Sequence, residues 1–169
     1  MPDKETIERA KKDKAEGKSP STQAGEFVHE EIEHIREGKH GARSTKQAIA
    51  IGLSKARRAG VDLPPPKKGK YSDETREQAI RELEIGDEPH HKVSQTRSRA
   101  IRKALKKEGT NAASHAALSR QAKAAARKRT AGERHDAAMK AVETKGPKGL
   151  SEAGKKAART GKRNEAKKG

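Results

Sequence analysis

Cysteine and tryptophan are missing from this sequence of 169 residues, and its aromatics are one phenylalanine, Phe27, and one tyrosine, Tyr71. Without cysteine there is no disulfide framework, no thiolate metal site and no thiol nucleophile. Apolar side chains are scarce too. The hydrophobic fraction is 29%, against about 45–50% in an ordinary globular domain. Leu, Ile, Val and Phe fall well below the roughly 20% under which a highly charged chain reads as disordered. Ordering each residue costs about 1–2 kcal/mol, and little apolar area is at hand to offset it. No apolar run approaches the roughly 18 residues needed to span a bilayer. The first dozen residues are charged rather than apolar, so no secretory signal is read there and a cytoplasmic location is expected.

What the chain does have is positive charge, unevenly laid out. Lys and Arg number 41 against 24 Asp and Glu, a formal net charge of +17. Residues 1–91 hold 18 basic and 18 acidic side chains, whereas residues 92–169 hold 23 basic and 6 acidic ones. The whole surplus therefore lies after His91. Such asymmetry points to a polyanion-binding region on a neutral head.

Periodicity and capping predict a mostly α chain, of small helical hairpins joined by flexible linkers, low in core and partly disordered. Residues 1–23 read as a flexible N-terminal segment. Its helix over 3–16 has Ile7 as the one large apolar side chain and little to dock with, and 17–23 read as linker. Residues 24–60 read as a helical hairpin. In its first helix Val28, Ile32 and Ile35 share a face and Gly38 follows the end. In its second, over 45–59, Ser44 and Gln47 form a capping box and Ile49 and Leu53 line one side. Residues 61–71, with three consecutive prolines, read as a stiff boundary. Residues 72–91 read as a short acidic helix and turn.

Residues 92–169 are expected to form Ala/Lys/Arg-rich helices with no core to bury: 94–108, 111–131, 133–144 and a weak 151–160. Lys145-Gly146-Pro147-Lys148-Gly149 breaks the pattern. The side chains expected to meet phosphate are Arg97, Arg99, Arg102, Lys103, Lys106, Lys107, Arg120, Lys123, Arg127, Lys128 and Arg129. No aromatic lies in this half to stack unpaired bases. DNA is therefore favoured over RNA, with duplex backbone contact and little sequence preference. The helix over 94–108 has no Trp or Phe to insert into lipid, so no membrane partner is expected.

Seven histidines invite a test for metal. His29 and His34 bracket three Glu in HEEIEH, at i, i+5 rather than the i, i+4 of HExxH, so the imidazoles do not share a face. Glu26 with His29 and Glu31 with His34 are ExxH pairs, but both lie on one helix, and a di-metal bundle draws them from separate helices. The expectation is an exposed charged face, with no metal and no cofactor. His90-His91 reads at most as an adventitious site. With no phosphate loop, no G-x-S-x-G and no material to wall off a dry pocket, the chain reads as non-enzymatic.

The run Ser44-Thr45-Lys46-Gln47-Ala48-Ile49-Ala50-Ile51-Gly52-Leu53-Ser54-Lys55-Ala56-Arg57-Arg58-Ala59-Gly60 resembles a bacterial family of small basic proteins of unknown function, with a core of the form S-x-K-Q-A-I-A-I-x-L-S-x-A-R-x-A-G. Glu37-Gly38-Lys39-His40-Gly41 fits the Gly/Lys-rich lead-in of that family, and the likeness covers about residues 25–62. Members are often labelled DNA-binding, which implies a loose class rather than a mechanism; a nucleoid-associated or histone-like role is expected from the basic C-terminal half. The C-terminal half is similar in composition to linker-histone-like Ala/Lys-rich tails. An alternative function remains open: a protein-interaction or self-association module using Val28, Ile32, Ile35, Ile49 and Leu53. So does ribosome or RNA association.

Overall fold

The computed structural model describes residues 2–86 and 94–166. Seven α-helices carry it: α1 (Lys4–Ala15), α2 (Pro20–Arg36), α3 (Thr45–Arg58), α4 (Asp73–Gly86), α5 (Gln95–Lys107), α6 (His115–Arg127) and α7 (Ala131–Glu165), with a 3-10 turn at Asn111–Ala113. No strand occurs among the described residues; Lys68 and Tyr71 form an isolated bridge. The mostly helical expectation therefore holds. The chain divides into two compact units, Met1–Ala122 and Lys123–Gly169.

In the first unit α2 is the central helix, packed on α1 and most extensively on α3, while α4 packs on α3. Local chemistry sets its bounds. Ser19 stands at the N-cap and Pro20 opens the helix, so α2 begins four residues before the expected Ala24. Proline suits a first turn, where its missing N–H has no intrahelical partner to lose. At the other end Gly38 adopts φ 73°. The Lys39 N–H donates to the His34 carbonyl at 3.0 Å and the Gly38 N–H to the Ile35 carbonyl at 3.1 Å. This paired closure satisfies two end carbonyls and turns the chain back over the helix. At the start of α3 the Ser44 hydroxyl accepts from the Gln47 N–H, as expected. The Gln47 side chain, however, accepts from the Arg43 N–H at 2.8 Å rather than from the cap residue.

Two apolar clusters hold this unit. One gathers Phe27 with Ala10, Ala24, Ala56 and Val61, flanked by Ile7, Leu53 and Leu63. The other gathers Ile32, Ile35, Ala42, Ala48, Ala112 and Ala113, flanked by Val28 and Leu118. Alanine and glycine make these cores possible with so few large side chains, because they let helices approach closely. At Gly52 an added Cβ would stand 2.7 Å from the Val28 Cα, so α2 and α3 meet backbone to backbone there.

Three expectations need correction. The N-terminal helix does not stand free: Thr6, Ala10 and Asp13 are buried, Arg9 Nε donates to Glu26 at 2.6 Å, and the Asp3 N–H donates to Glu30 at 3.0 Å. Small side chains give α1 a flat docking face that a search for large apolar residues overlooks. The Pro-rich segment does not separate the elements on either side of it. Val61 and Leu63 join the Phe27 cluster, and α4 returns to α3 through buried Glu82, which accepts from Ser54 (2.5 Å) and Arg58 (3.1 Å). Nor is the Ala-rich stretch coreless at its start. Ala112 and Ala113 are buried. The Thr45 hydroxyl donates to the Ala112 carbonyl at 2.6 Å and Arg36 Nε to the Ala113 carbonyl at 3.0 Å.

In the second unit Thr130 and Glu133 form a reciprocal capping box that opens α7. Gly146, at φ 63° and ψ 176°, interrupts that helix immediately before Pro147, at the break expected from the sequence.

Candidate functional site

Arg97, Arg99, Arg102, Lys103, Lys106 and Lys107 all lie on α5, which buries none of its residues. Arg120, Lys123 and Arg127 lie on α6, and Lys128 and Arg129 follow it; all eleven cations are exposed. Within the described residues none of the eleven side chains pairs with a carboxylate. Those up to Arg120 belong to the first unit and those from Lys123 to the second. The C-terminal end of α5 is held at the α2–α3 loop: the Gly41 N–H donates to the Leu105 carbonyl at 2.9 Å and the Ala42 N–H to the Gly109 carbonyl at 3.2 Å. A row of cations thus stands on a helix fixed at one end. Ile101, on the same helix, is exposed.

The residues considered for a protein interface are placed differently. Ile32 and Ile35 are enclosed in the core, Val28 and Leu53 are partly buried against the two clusters, and Ile49 is half-buried. Their stripe joins α2 to its own neighbours.

The HEEIEH segment is not an exposed charged face. His29 is exposed, but Glu30 is only 5% exposed and Glu31 fully buried. From α3, Lys55 reaches between them, its Nζ 2.9 Å from Glu30 Oε1 and 2.8 Å from Glu31 Oε2. Burial would raise the Glu30 carboxyl, yet the Lys55 ammonium and the Asp3 N–H outweigh it and hold the group below the usual range. Burial likewise opposes the charge on Lys55, but Glu31 and Glu30 outweigh it and its ammonium is held above the usual range. Two half-buried imidazoles complete the group. His34 Nε2 lies 3.2 Å from Asp3 Oδ2, and His40 Nε2 lies 3.4 Å from Glu31 Oε1. The partner of His34 is therefore His40, from the loop after Gly38, and not His29. The signal available in the sequence was Glu31-x-x-His34 followed, past a helix-ending glycine, by His40. His90 and His91 lie outside the described residues.

These features define a small helical bundle with an internal ionic centre, bearing cationic helices. Residues 11–68 match a family of unknown function (DUF6496). The match takes in the C-terminal part of α1, all of α2 and α3 and the three consecutive prolines, more than the stretch that carried the resemblance. No curated protein and no solved structure matches the chain. Among the described residues no helix is long and apolar enough to cross a membrane.

Proposed function

We propose that this chain is a non-enzymatic, sequence-tolerant nucleic-acid-binding protein, associated with the nucleoid in a histone-like manner and favouring duplex DNA over RNA. The observation that carries the reading is the set of eleven exposed cations on and just beyond α5 and α6, unpaired within the described residues. Unpaired cations give up no internal ion pair on meeting phosphate, and each contact releases condensed counterions. The small side chains of α6, mostly alanine and serine between its cations, allow close approach to a groove wall. The bundle and its ionic centre would serve as the rigid body from which α5 projects.

The test is binding of the full chain to a random-sequence duplex across a salt series. With 6–10 phosphate contacts, affinity should fall by about 10³–10⁵ between 50 and 200 mM salt. Weak binding at 50 mM salt, or an affinity indifferent to salt, overturns the proposal. Competition with ribosomal RNA tests the preference: RNA that displaces the duplex at lower concentration reverses it.

A further inference from the structure

We propose that Glu31, His34 and His40 hold a divalent metal ion, zinc in the first instance, at the junction of α2 with the loop that leads to α3. One ligand atom from each of the three lies within 4.8 Å of the others. The first observation is that Glu31 is fully buried and that neither of its carboxylate oxygens has a hydrogen-bond partner. The Lys55 ammonium pairs with Oε2 at 2.8 Å, and Oε1 faces His40. The Lys55 ammonium offsets part of the cost of burying this carboxylate from the Oε2 side, and a cation against Oε1 would offset the rest.

The second observation is how the imidazoles are held. His40 Nδ1 lies 3.2 Å from the Gly41 carbonyl. A carbonyl only accepts, so Nδ1 carries the proton, and in a neutral ring Nε2 offers a lone pair. That lone pair faces Glu31 Oε1 at 3.4 Å, an acceptor set against an acceptor. On His34, Asp3 engages Nε2, which leaves Nδ1 as its unprotonated nitrogen. A metal-bound histidine is held this way, one ring nitrogen on the ion and the other donating to a carboxylate or backbone carbonyl. Two ligands on one tetrahedral zinc, at bonds of about 2.0–2.1 Å, stand about 3.3–3.4 Å apart. The Glu31–His40 separation is that distance.

Charge agrees with geometry. Asp3, Glu30 and Glu31 bring three carboxylates, Lys55 pairs with two of them and Lys39 acts on Asp3 and Glu30 from farther off, so with neutral imidazoles negative charge remains in excess. Such a site supplies three protein ligands and leaves the fourth tetrahedral position to water or another donor; wherever that donor comes from, the ion would tie α2 to the loop whose Gly41 and Ala42 receive the end of α5. The inference does not depend on nucleic-acid binding.

Zinc titrated into the metal-stripped full chain, followed by calorimetry, should show one equivalent bound. His34→Ala and His40→Ala should each weaken it by about 100-fold or more, Asp3→Asn by about 10-fold, and His29→Ala should leave it unchanged. Cobalt(II) should give the intense visible absorption of a tetrahedral site, lost in His40→Ala. Circular dichroism verifies that each variant folds. The proposal is overturned if the wild type takes up no more zinc than the His34→Ala/His40→Ala double variant. It is also overturned if His29→Ala removes the binding, or if the cobalt spectrum is that of an octahedral surface ion. A protonated His40 in place of the metal predicts the first of these results.

Discussion

Replacing Lys55 with methionine should destabilise the protein by about 3–5 kcal/mol. The substitution keeps the length and apolar stem of the side chain and deletes the charge between Glu30 and Glu31. Both carboxylates are then left inside the bundle, Glu30 3% and Glu31 0% exposed at the side chain, without the ammonium that offsets their desolvation. Stability of a domain this size is about 5–15 kcal/mol, so a substantial unfolded population is expected. Urea denaturation at neutral pH measures it, and a loss under about 1 kcal/mol would mean that the centre is solvated. Its pH profile gives a sharper reading. In the wild type the Glu30 carboxyl is held low, so its contribution is present above the unfolded value and disappears as pH falls through the folded one. The Lys55 ammonium is held above its ordinary 10.5, so its contribution is full below that value and disappears as pH rises through the folded one. In Lys55→Met the acid limb should reverse, because protonating an unpaired buried carboxylate removes its penalty. Adding Glu30→Gln and Glu31→Gln should restore much of the loss.

Phe27→Ala should cost a similar amount, about 3–5 kcal/mol. The ring is 1% exposed and is the largest fully buried side chain among the described residues. Around it stand three alanines and Val61, from α1, α2, α3 and the segment after α3. The alanines have no rotamers with which to fill the space left behind, and Ile7, Leu53 and Leu63 reach it only from the margin, so part of the cavity should stay open. Near-ultraviolet spectra offer no probe in so aromatic-poor a chain, so far-ultraviolet circular dichroism against urea is the measurement. A change below about 1 kcal/mol would show that the four segments are not joined through this residue.

The helices themselves were readable from apolar spacing, Ser caps and terminal glycines: α3 and α5 lie within a residue or so of their expected ends. What escaped is how they assemble, for reasons visible in particular residues. Glu30 and Glu31 count as surface in any apolar-periodicity argument, yet the pattern Val28, Ile32, Ile35 turns them toward α3, where Lys55 meets them. Nothing in the local sequence announces that pairing across 24 and 25 positions. His40 escaped because its partners sit one helix-ending turn upstream. Ala112 and Ala113 escaped because alanine reads the same in a solvated helix and in a tight core, and only the Thr45 hydroxyl and the Arg36 guanidinium, bound to their carbonyls, mark the difference. The exposed cations were the easiest to foresee, since charge without apolar neighbours has nowhere else to go.

The hydrogen bond from Thr45 to Ala112 spans 67 positions. Contacts so distant along the chain slow the search for the native state, because the entropy of closing the intervening segment is spent before the contact repays it. During synthesis the first three helices therefore emerge with Ile32 and Ile35 covered by Ala42, Ala48 and Val28 but not yet by Ala112 and Ala113. They wait for the ribosome to deliver the alanine pair before that side of the bundle can seal. A chain cut short after α4 would remain in that unsealed condition permanently, prone to stick to its own copies.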